Sequence, residues 1–210
     1  MGQKKQDLLL AGRPVLRWTL DVFEASPLVA GLVVAVPAED VPAWEDRLAD
    51  CAKVRAVVAG GPERQESVRG ALGAVPADIA WIVVHDGVRP CVTAELIERV
   101  VNEARRHGAA IAALPVAETL KRGADGWVQA TVERGGLWSV QTPQAFRAEV
   151  LREAHRRAAA EGIVETDDAA LVERLGVRVR LVPGLPGNVK ITRPDDLALA
   201  EALLPRLAGR

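Results

Sequence analysis

The sequence has few cysteines, no excess of charge of either sign and no long apolar run. Cys51 and Cys91 are its only cysteines, and their wide separation gives neither a disulfide framework nor zinc-ligand spacing. Lys and Arg number 27 against 28 Asp and Glu, so the formal net charge is −1, which excludes the global basic field of a typical nucleic-acid-binding domain. The longest apolar runs have the length of a strand, well short of a membrane span. We therefore expect a globular, cytoplasmic protein that binds neither nucleic acid nor a membrane.

Several signatures of enzyme classes are also absent. The three histidines do not form a metal-binding set, since His107 and His155 are predicted on helix surfaces and His85 in the core or just behind a site. There is no G-x-S-x-G elbow of a serine hydrolase and no dinucleotide-binding fingerprint. Because the net charge is −1, a phosphate group would have to be bound by local clusters of Arg and Lys.

Short β-branched runs alternate with helical patterns along most of the chain. The predicted strands are Gly31–Val36, Val54–Ala59, Trp81–His85, Ala109–Leu114 and Val177–Val182. The predicted helices are Pro14–Ala25, Thr93–Arg106, Val150–Ala160 and Asp195–Leu207. The first four strands are mostly apolar on both faces, as in parallel strands covered by helices on both sides. The sequence thus predicts an α/β fold, a doubly wound and mostly parallel sheet in a single domain over residues 1–210, with ligands at the carboxyl ends of the strands.

Two segments depart from this alternation. Residues 115–138 contain four glycines around two short extended pieces, and they are predicted to form a β-arm that projects from the sheet. Its exposed apolar side chains need a partner, so we expect a homodimer formed through this arm. The chain also reaches Lys4 and Lys5 almost at once and then enters a helix. We therefore expect the opening strand and the glycine-rich phosphate loop of such folds to be missing.

Two motifs follow predicted strands, where a doubly wound sheet keeps its active site. HDGVRP places Asp86, a hard oxygen ligand for Mg²⁺, three residues before Arg89, whose planar guanidinium suits phosphate. The alternative is a structural Asp turn with an arginine paired nearby. GGPERQESV is predicted to begin a helix. Because glycine has no side chain, a ligand could approach the backbone at Gly61, with Arg64 and Ser67 facing it. The alternative is an ordinary helix N-terminus with surface charges.

Three weaker motifs have ordinary structural explanations. QTPQAF places Thr142 before a proline, in an extended conformation at the end of a strand. Taken alone, this motif indicates only a turn. TDDA, residues 166–169, has the pattern of a helix N-cap with acidic residues in the first turn. Asn188 and Lys190 are predicted on a short strand, where a lysine is usually solvated.

Taken in order, these pieces resemble the 2-C-methyl-D-erythritol 4-phosphate cytidylyltransferase family of the non-mevalonate isoprenoid pathway. The matching motifs are KQ-x-LLL-x-G-x-PVL, GGxxRxxSV, VHDxxRP, ETLKR, ERxGLWSVQTPQAF, ETDDAAL and NVKITRPDDLALAE. No single motif is strong, but their joint occurrence in the family's order over nearly the whole chain is very specific. The resemblance implies transfer of CMP from CTP to 2-C-methyl-D-erythritol 4-phosphate, giving CDP-methylerythritol and pyrophosphate. Such chemistry needs positioning and charge neutralisation rather than a covalent nucleophile.

The resemblance also implies roles for particular residues. Lys5 and Lys190 would contact phosphates and stabilise the transition state. The implied CTP-binding residues are Gly61, Arg64, Ser67 and Asp86, with Asp86 also bound to Mg²⁺ or another divalent cation. The implied contacts of the polyol phosphate are Asp86, Arg89, Thr119, Arg134, Thr142, Thr166 and Lys190. Thr119 and Arg134 lie in the arm, which in this family swaps across a dimer and delivers them to the neighbouring site.

The chain departs from the family's pattern near its start and at position 62. The family opens with a strand and a loop resembling A-A-G-x-G-x-R-M-G, whereas only Met1-Gly2 matches the tail of that loop, and the spacing from Gly2 to Lys5 is short. Pro62 stands where an acidic residue is common, which affects one base or ribose contact. We therefore expect weak activity and reduced stability for the chain as given, because strands beside a missing one lose a hydrogen-bonding partner.

Two other functions are compatible with the same residues. A sibling cytidylyltransferase for another polyol phosphate, such as ribitol 5-phosphate, shares most of the motifs, although ETLKR and ERxGLW favour methylerythritol phosphate. A non-catalytic dimeric remnant of the enzyme is supported only by the missing loop.

Overall fold

The structure is a computed structural model that describes residues 4–208, with side chains for residues 4–204. Its helices are α1 (Val15–Ala25), α2 (Val41–Arg47), α3 (Arg64–Ala74), α4 (Ala94–His107), α5 (Ala148–Glu161), α6 (Asp168–Glu173) and α7 (Pro194–Ala208). Its strands are β1 (Leu9–Leu10), β2 (Arg13–Pro14), β3 (Leu32–Val36), β4 (Val54–Ala59), β5 (Trp81–Val84), β6 (Ala109–Pro115), β7 (Leu120–Ala124), β8 (Trp127–Val132), β9 (Trp138–Arg147) and β10 (Arg180–Pro183). Short 3₁₀ helices cover Lys5–Asp7 and Ala38–Asp40.

The largest sheet has the strand order β10-β6-β9-β5. β6 and β10 run parallel, with Ile111 opposite Leu181, whereas β9 runs antiparallel to both of its neighbours. It follows that β5, β6 and β10 point in the same direction and that β9 is inserted between two of them. The α/β sheet predicted from the sequence is confirmed, with one long antiparallel strand in its middle.

Successive residues of β5 and β9 enter two different cores. One core contains Ile82 and Phe146 and is closed by α3, α5 and α6. The other contains Val83 and Ala145 and is closed by α1 and α4. Because neighbouring side chains of a strand point to opposite faces, both faces of the sheet are covered by helices. This is the doubly wound arrangement that the apolar strands predict.

A second, two-stranded parallel sheet is formed by β3 and β4. Leu16 and Leu20 of α1 pack against Val34 of this sheet, while Phe23 of the same helix enters the core over β5. One helix therefore covers both sheets. Within residues 4–208 no strand joins β3 to β5, so each has a single strand partner.

The main difference from the sequence-based prediction is β9. QTPQAF was predicted at the end of a strand, yet Thr142 and Pro143 lie in the middle of this ten-residue strand. Proline normally argues against a central strand because it cannot donate to the ladder, so the pattern was misleading. β10 begins at Arg180 instead of Val177, since Val177 and Val179 pack into the core and only the later residues pair with β6.

The predicted arm is a hairpin of β7 and β8. Asp125 and Gly126 form its two-residue loop, and both have positive φ, as a type I′ turn requires. In the part of the chain that the structure describes, these strands pair only with each other. Trp127 is 79% exposed and Val128 67% exposed, so the hairpin presents apolar side chains to its surroundings.

The elements place the polar motifs at one edge of the fold. β4 and β5 are followed directly by residues 60–64 and 85–90, which contain four of the predicted site residues: Gly61, Arg64, Asp86 and Arg89. Among the described residues, none of the helices combines the length and apolar character needed to cross a membrane.

Candidate phosphate-binding site

The predicted side chains converge on Asp86, which follows β5. Asp86 Oδ1 lies 3.0 Å from Arg64 Nε. Asp86 Oδ2 lies 3.0 Å from Lys190 Nζ and 3.3 Å from Arg89 Nε. These cations come from the start of α3, the loop after β5 and the loop before α7. The structure therefore brings together four residues that were selected from three separate motifs.

A hydroxyl of β9 holds the backbone of Asp86. Thr142 Oγ1 accepts a hydrogen bond from Asp86 N at 3.1 Å and lies 3.0 Å from His85 Nδ1. β5 and β9 pair as far as Val84 and Gln144, so the loop after β5 starts beside Thr142. Thr142 is only 3% exposed, and its hydroxyl supports the Asp86 loop here. Its contact with a substrate phosphate stays a prediction.

The charges of the cluster favour an ionised Asp86. Burial by itself raises the pKa of Asp86, but Arg64 and Lys190 outweigh it and hold the pKa well below its ordinary value. Burial lowers the pKa of Arg64, whereas Asp168 and Asp86 raise it by more. Three cations (Arg64, Arg89 and Lys190) thus face two carboxylates (Asp86 and Asp168). The excess of positive charge suits a phosphate group.

The loop before α7 is held by a buried asparagine. Asn188 and Lys190 lie in irregular structure, so the predicted short strand is wrong. Asn188 Nδ2 donates to Thr142 O at 2.7 Å, and Asn188 O accepts from Arg89 Nη1 at 2.9 Å. These bonds satisfy buried polar groups that a strand ladder would otherwise pair. They direct Lys190 to Asp86 while 40% of its side chain stays exposed.

The glycine pair after β4 is required by close packing against α3. A Cβ at Gly61 would lie 2.4 Å from the Cβ of Glu66, and one at Gly60 would lie 2.8 Å from Ser67 Oγ. Gly61 N donates to Ser67 Oγ at 3.1 Å, and Glu63 and Glu66 form a capping box. The local conformation is therefore that of an ordinary helix N-terminus, which was the alternative interpretation of this motif. The contacts of Gly61 and Ser67 with CTP stay predictions.

Two functional candidates were missed in the sequence, Asp168 and His155. Asp168 Oδ2 lies 2.7 Å from Arg64 Nη1, and Asp168 Oδ1 lies 2.9 Å from His155 Nε2. The prediction of His155 on a helix surface is wrong, because the residue is only 3% exposed. The apolar stripe of Leu151 and Ala158 on α5 has helical spacing that includes position 155, and this signal would have placed it in the core.

Thr166 lies in a loop that is held against α3. Gln65 Nε2 donates to Ile163 O at 2.8 Å, and Gln65 Oε1 accepts from Glu165 N at 2.9 Å. The N-cap of α6 is Asp167, whose side chain accepts from Ala170 N, so the capping pattern was correct but its first residue was not Thr166. Thr166 itself is exposed. Its contact with a substrate stays a prediction.

Other predicted site residues are not bonded to the cluster in the described part of the chain. Lys5 is exposed in its short 3₁₀ helix. Thr119 and Arg134 are exposed beside the hairpin, and Arg134 Nη1 donates to Ala117 O. No hydrogen bond or ion pair found between described residues joins these three to Asp86. The predicted loop remnant Met1-Gly2 lies outside the described residues.

Asp86 offers one carboxylate for the predicted divalent cation. Both of its oxygens are already paired with cations, and the residues described contain no group of three or more His, Cys, Asp or Glu that could hold a metal ion. Mg²⁺ is usually bound by one or two carboxylates together with substrate phosphates. A single carboxylate among the described residues fits an ion that arrives on a nucleotide, and the role of Asp86 as its protein ligand stays a prediction. The described residues do not fit an ion that is bound by the protein alone.

A doubly wound sheet with an excess of positive charge at the carboxyl ends of its strands defines a Rossmann-like α/β protein with a candidate phosphate-binding site. A model of one family, IspD: 2-C-methyl-D-erythritol 4-phosphate cytidylyltransferase, matches residues 1–206. The 2-C-methyl-D-erythritol 4-phosphate cytidylyltransferase of Geobacter metallireducens is 48% identical over 206 residues, 95% of this chain and 89% of that protein. The enzyme of the same name from Symbiobacterium thermophilum is 48% identical over 204 residues, 97% of this chain and 86% of that protein.

Solved structures give the same result. The crystal structure of 2-C-methyl-D-erythritol 4-phosphate cytidylyltransferase from Thermus thermophilus has a TM-score of 0.85 and 39% sequence identity, covering 96% of this chain and 94% of that one. The chain therefore belongs to the 2-C-methyl-D-erythritol 4-phosphate cytidylyltransferase family.

The buried ring of His85 predicts a specific loss of stability in acid. Burial lowers the pKa of His85 to about 4, against about 6.5 in an unfolded chain. Between these values the unfolded chain binds a proton that the folded chain does not, so stability falls as the pH falls from about 6.5 to 4. His85→Gln should remove this loss, on the order of 1–3 kcal/mol, in urea titrations at a series of pH values.

The control is His107→Gln, which replaces a half-exposed histidine at the end of α4. It should lose stability in acid like the unmodified chain. Asp86 and Asp168 have lowered pKa values, so their stabilisation is present above about pH 4 and disappears only at lower pH. If His85→Gln and the unmodified chain give parallel curves between about pH 6.5 and 4, the neutral buried ring is refuted.

Proposed function

We propose that this chain transfers CMP from CTP to 2-C-methyl-D-erythritol 4-phosphate, giving CDP-methylerythritol and pyrophosphate for isoprenoid precursor synthesis. The observation that carries the proposal is the cationic cluster on Asp86. It is built by Arg64, Arg89 and Lys190, which come from three of the motifs shared with the family. Such an enzyme, without a membrane span in its described residues, would work in the cytoplasm.

In the proposed reaction a phosphate oxygen of the polyol attacks the α-phosphorus of CTP. The new phosphorus–oxygen bond forms while the bond from the α-phosphorus to the pyrophosphate oxygen breaks, and no proton or covalent enzyme intermediate is needed. Lys190 is both paired with Asp86 and partly exposed, so it can approach a phosphate without leaving the cluster. It would neutralise the negative charge that develops on the transferring group, together with Lys5.

The remaining residues would bind and orient the substrates. Asp86 would hold the divalent cation that arrives on CTP, and this ion would supply further charge neutralisation. The CTP would be bound by Gly61, Arg64, Ser67 and Asp86. The polyol phosphate would be bound by Asp86, Arg89, Thr119, Arg134, Thr142, Thr166 and Lys190. Correct orientation of two bound reactants is itself a large part of catalysis in such transfers.

A substrate panel tests the proposed reaction. Pyrophosphate release should require CTP, Mg²⁺ and methylerythritol phosphate together, and it should be much slower with ribitol 5-phosphate. A preference for ribitol 5-phosphate would make the chain a cytidylyltransferase for that polyol. Absence of both turnover and CTP binding by calorimetry would support a non-catalytic remnant instead.

Replacement of Lys190 should separate catalysis from folding. Lys190→Met removes a partly exposed cation, while Asp86 keeps Arg64 and Arg89 as partners. We expect turnover to fall by about a hundredfold or more and the free energy of unfolding to fall by less than about 1 kcal/mol. Steady-state kinetics and urea denaturation measure the two effects.

Arg106→Met is the matched control for charge, because Arg106 is an exposed cation at the far end of α4 that pairs with Glu103. It should leave turnover unchanged. A loss of stability in Lys190→Met that accounts for its whole loss of rate would remove Lys190 from the proposed mechanism.

We also propose that the arm forms a homodimer and contributes to the neighbouring site. Support comes from the exposed apolar side chains of Trp127 and Val128. Thr119 and Arg134 also make no hydrogen bond or ion pair with the cluster among the described residues of their own chain. A hairpin that packs only on itself leaves such apolar surface exposed unless it has a partner.

Subunit mixing tests this shared site. Lys190→Met and Arg134→Ala should each be nearly inactive, but after co-refolding at equal amounts they should recover about a quarter of the unmodified activity. This value follows because half of the dimers are mixed and each contains one intact site. A mixture no more active than its two components would show that each chain builds its site alone.

A further inference from the structure

A buried histidine and a buried carboxylate lie directly behind the phosphate-binding cluster. The side chains of His155 and Asp168 are 3% and 1% exposed. Nε2 of the ring lies 2.9 Å from Asp168 Oδ1, and because an ionised carboxylate can only accept, the ring donates through Nε2. Nδ1 is buried and has no hydrogen-bond partner among the described residues. The ring is therefore held by a single polar contact, the one to Asp168.

Asp168 connects this ring to the site. Its second oxygen, Oδ2, accepts from Arg64 Nη1 at 2.7 Å, and Arg64 Nε donates to Asp86 Oδ1 at 3.0 Å. Burial raises the pKa of Asp168, but the hydrogen bond from His155 and the charge of Arg64 outweigh it and keep the carboxyl ionised. Two carboxylates thus fix two different nitrogens of one guanidinium, which determines both its position and its plane.

We propose that His155 is a positioning residue, which orients Asp168 and through it sets the guanidinium of Arg64 for binding of the CTP phosphates or cytidine. About 30% of the Arg64 side chain remains exposed, so the arginine can contact a ligand while its two anchors stay in place. The proposal rests on the proposed function for the identity of that ligand. The orientation of Arg64 by His155 does not depend on it.

The chemistry of the pair argues against simple packing. A leucine at position 155 would pack well in the apolar core that contains Leu151 and Ala158. It would leave Asp168 Oδ1 buried without a donor, and such a carboxylate is strongly unfavourable in that position. Asp168 would then turn or recruit another donor, and Arg64 would lose its defined anchor. A glutamine at 155 retains a donor at similar reach.

The first experiment observes Arg64 directly and needs no nucleotide. The Nε–Hε signal of Arg64 in ¹⁵N NMR spectra, assigned by its absence in Arg64→Met, should be sharp and slow to exchange in the unmodified chain. It should broaden or shift in His155→Leu and recover in His155→Gln. The Nε–Hε signal of Arg89 is the internal control, because its bonds to Asp86 and Asn188 do not involve Asp168. An unchanged Arg64 signal in His155→Leu overturns the proposal.

The second experiment is a double-mutant cycle on CTP affinity, measured by calorimetry. His155→Leu should weaken CTP binding on the order of tenfold, and His155→Gln should restore most of it. In an Arg64→Met background, His155→Leu should change the affinity less than about twofold, because its effect passes through Arg64. An equal loss in both backgrounds shows a general structural effect and overturns the proposal.

Two further measurements separate a loss of Arg64 positioning from a general loss of folding. Thermal unfolding of each variant shows whether a loss of affinity merely follows a loss of folding, and His107→Gln provides an exposed histidine control with no expected change in either quantity. If the unmodified chain does not bind CTP, the proposed function fails, whereas the NMR experiment still decides whether His155 positions Arg64.

Discussion

The structure depends on keeping one carboxylate, Asp86, charged in a largely buried position. An ionised group there is tolerated only when it is paired and hydrogen-bonded, and Asp86 meets this condition through side chains from distant parts of the chain. Its backbone is fixed by Thr142 in β9, and the loop that carries Lys190 is fixed by Asn188. The central sheet, the start of α3 and the loop before α7 therefore share one electrostatic centre. Displacement of any of these elements would leave a buried charge incompletely paired.

Pairing alone does not explain the composition of this centre. One cation would balance Asp86, whereas Arg64, Arg89 and Lys190 all contact it, and only Arg64 has a second carboxylate, Asp168, as a partner. Like charges this close repel one another, so a cluster with an excess of cations is favourable chiefly when an anion joins it. A nucleoside triphosphate and a polyol phosphate are such anions. The excess of cations therefore supports the proposed anion site, since pairing Asp86 for stability alone would need fewer of them.

The sequence predicted those parts of the site that follow from short-range patterns. HDGVRP could be placed at a strand end because the preceding residues are apolar and β-branched, and GGPERQESV could be placed at a helix start because of its glycines and polar residues. Prediction from the sequence failed where the role of a residue depends on a contact with a residue distant in the sequence. Asp168 looks like an ordinary first-turn acid, yet its partner Arg64 is 104 residues away. His155 is followed by two arginines, Arg156 and Arg157, so its burial was hidden although its helical spacing was compatible with the core. The strand β9 was hidden because its polar residues and proline contradict the usual composition of a central strand.

Thr142 shows why a motif can locate a residue correctly and still leave its role open. The family resemblance assigns it to a substrate phosphate, while the geometry has its hydroxyl bonded to Asp86 N and beside His85 Nδ1. A hydroxyl has one proton to donate, and in accepting from Asp86 N it keeps that proton for either the ring or a ligand. Because His85 is buried and neutral, its unprotonated nitrogen can accept the proton of Thr142 when no ligand is present. A phosphate oxygen would compete for the same proton. The proposed contact with a phosphate is therefore compatible with the contact that the structure shows, because Thr142 would keep its bond with Asp86 N in both cases.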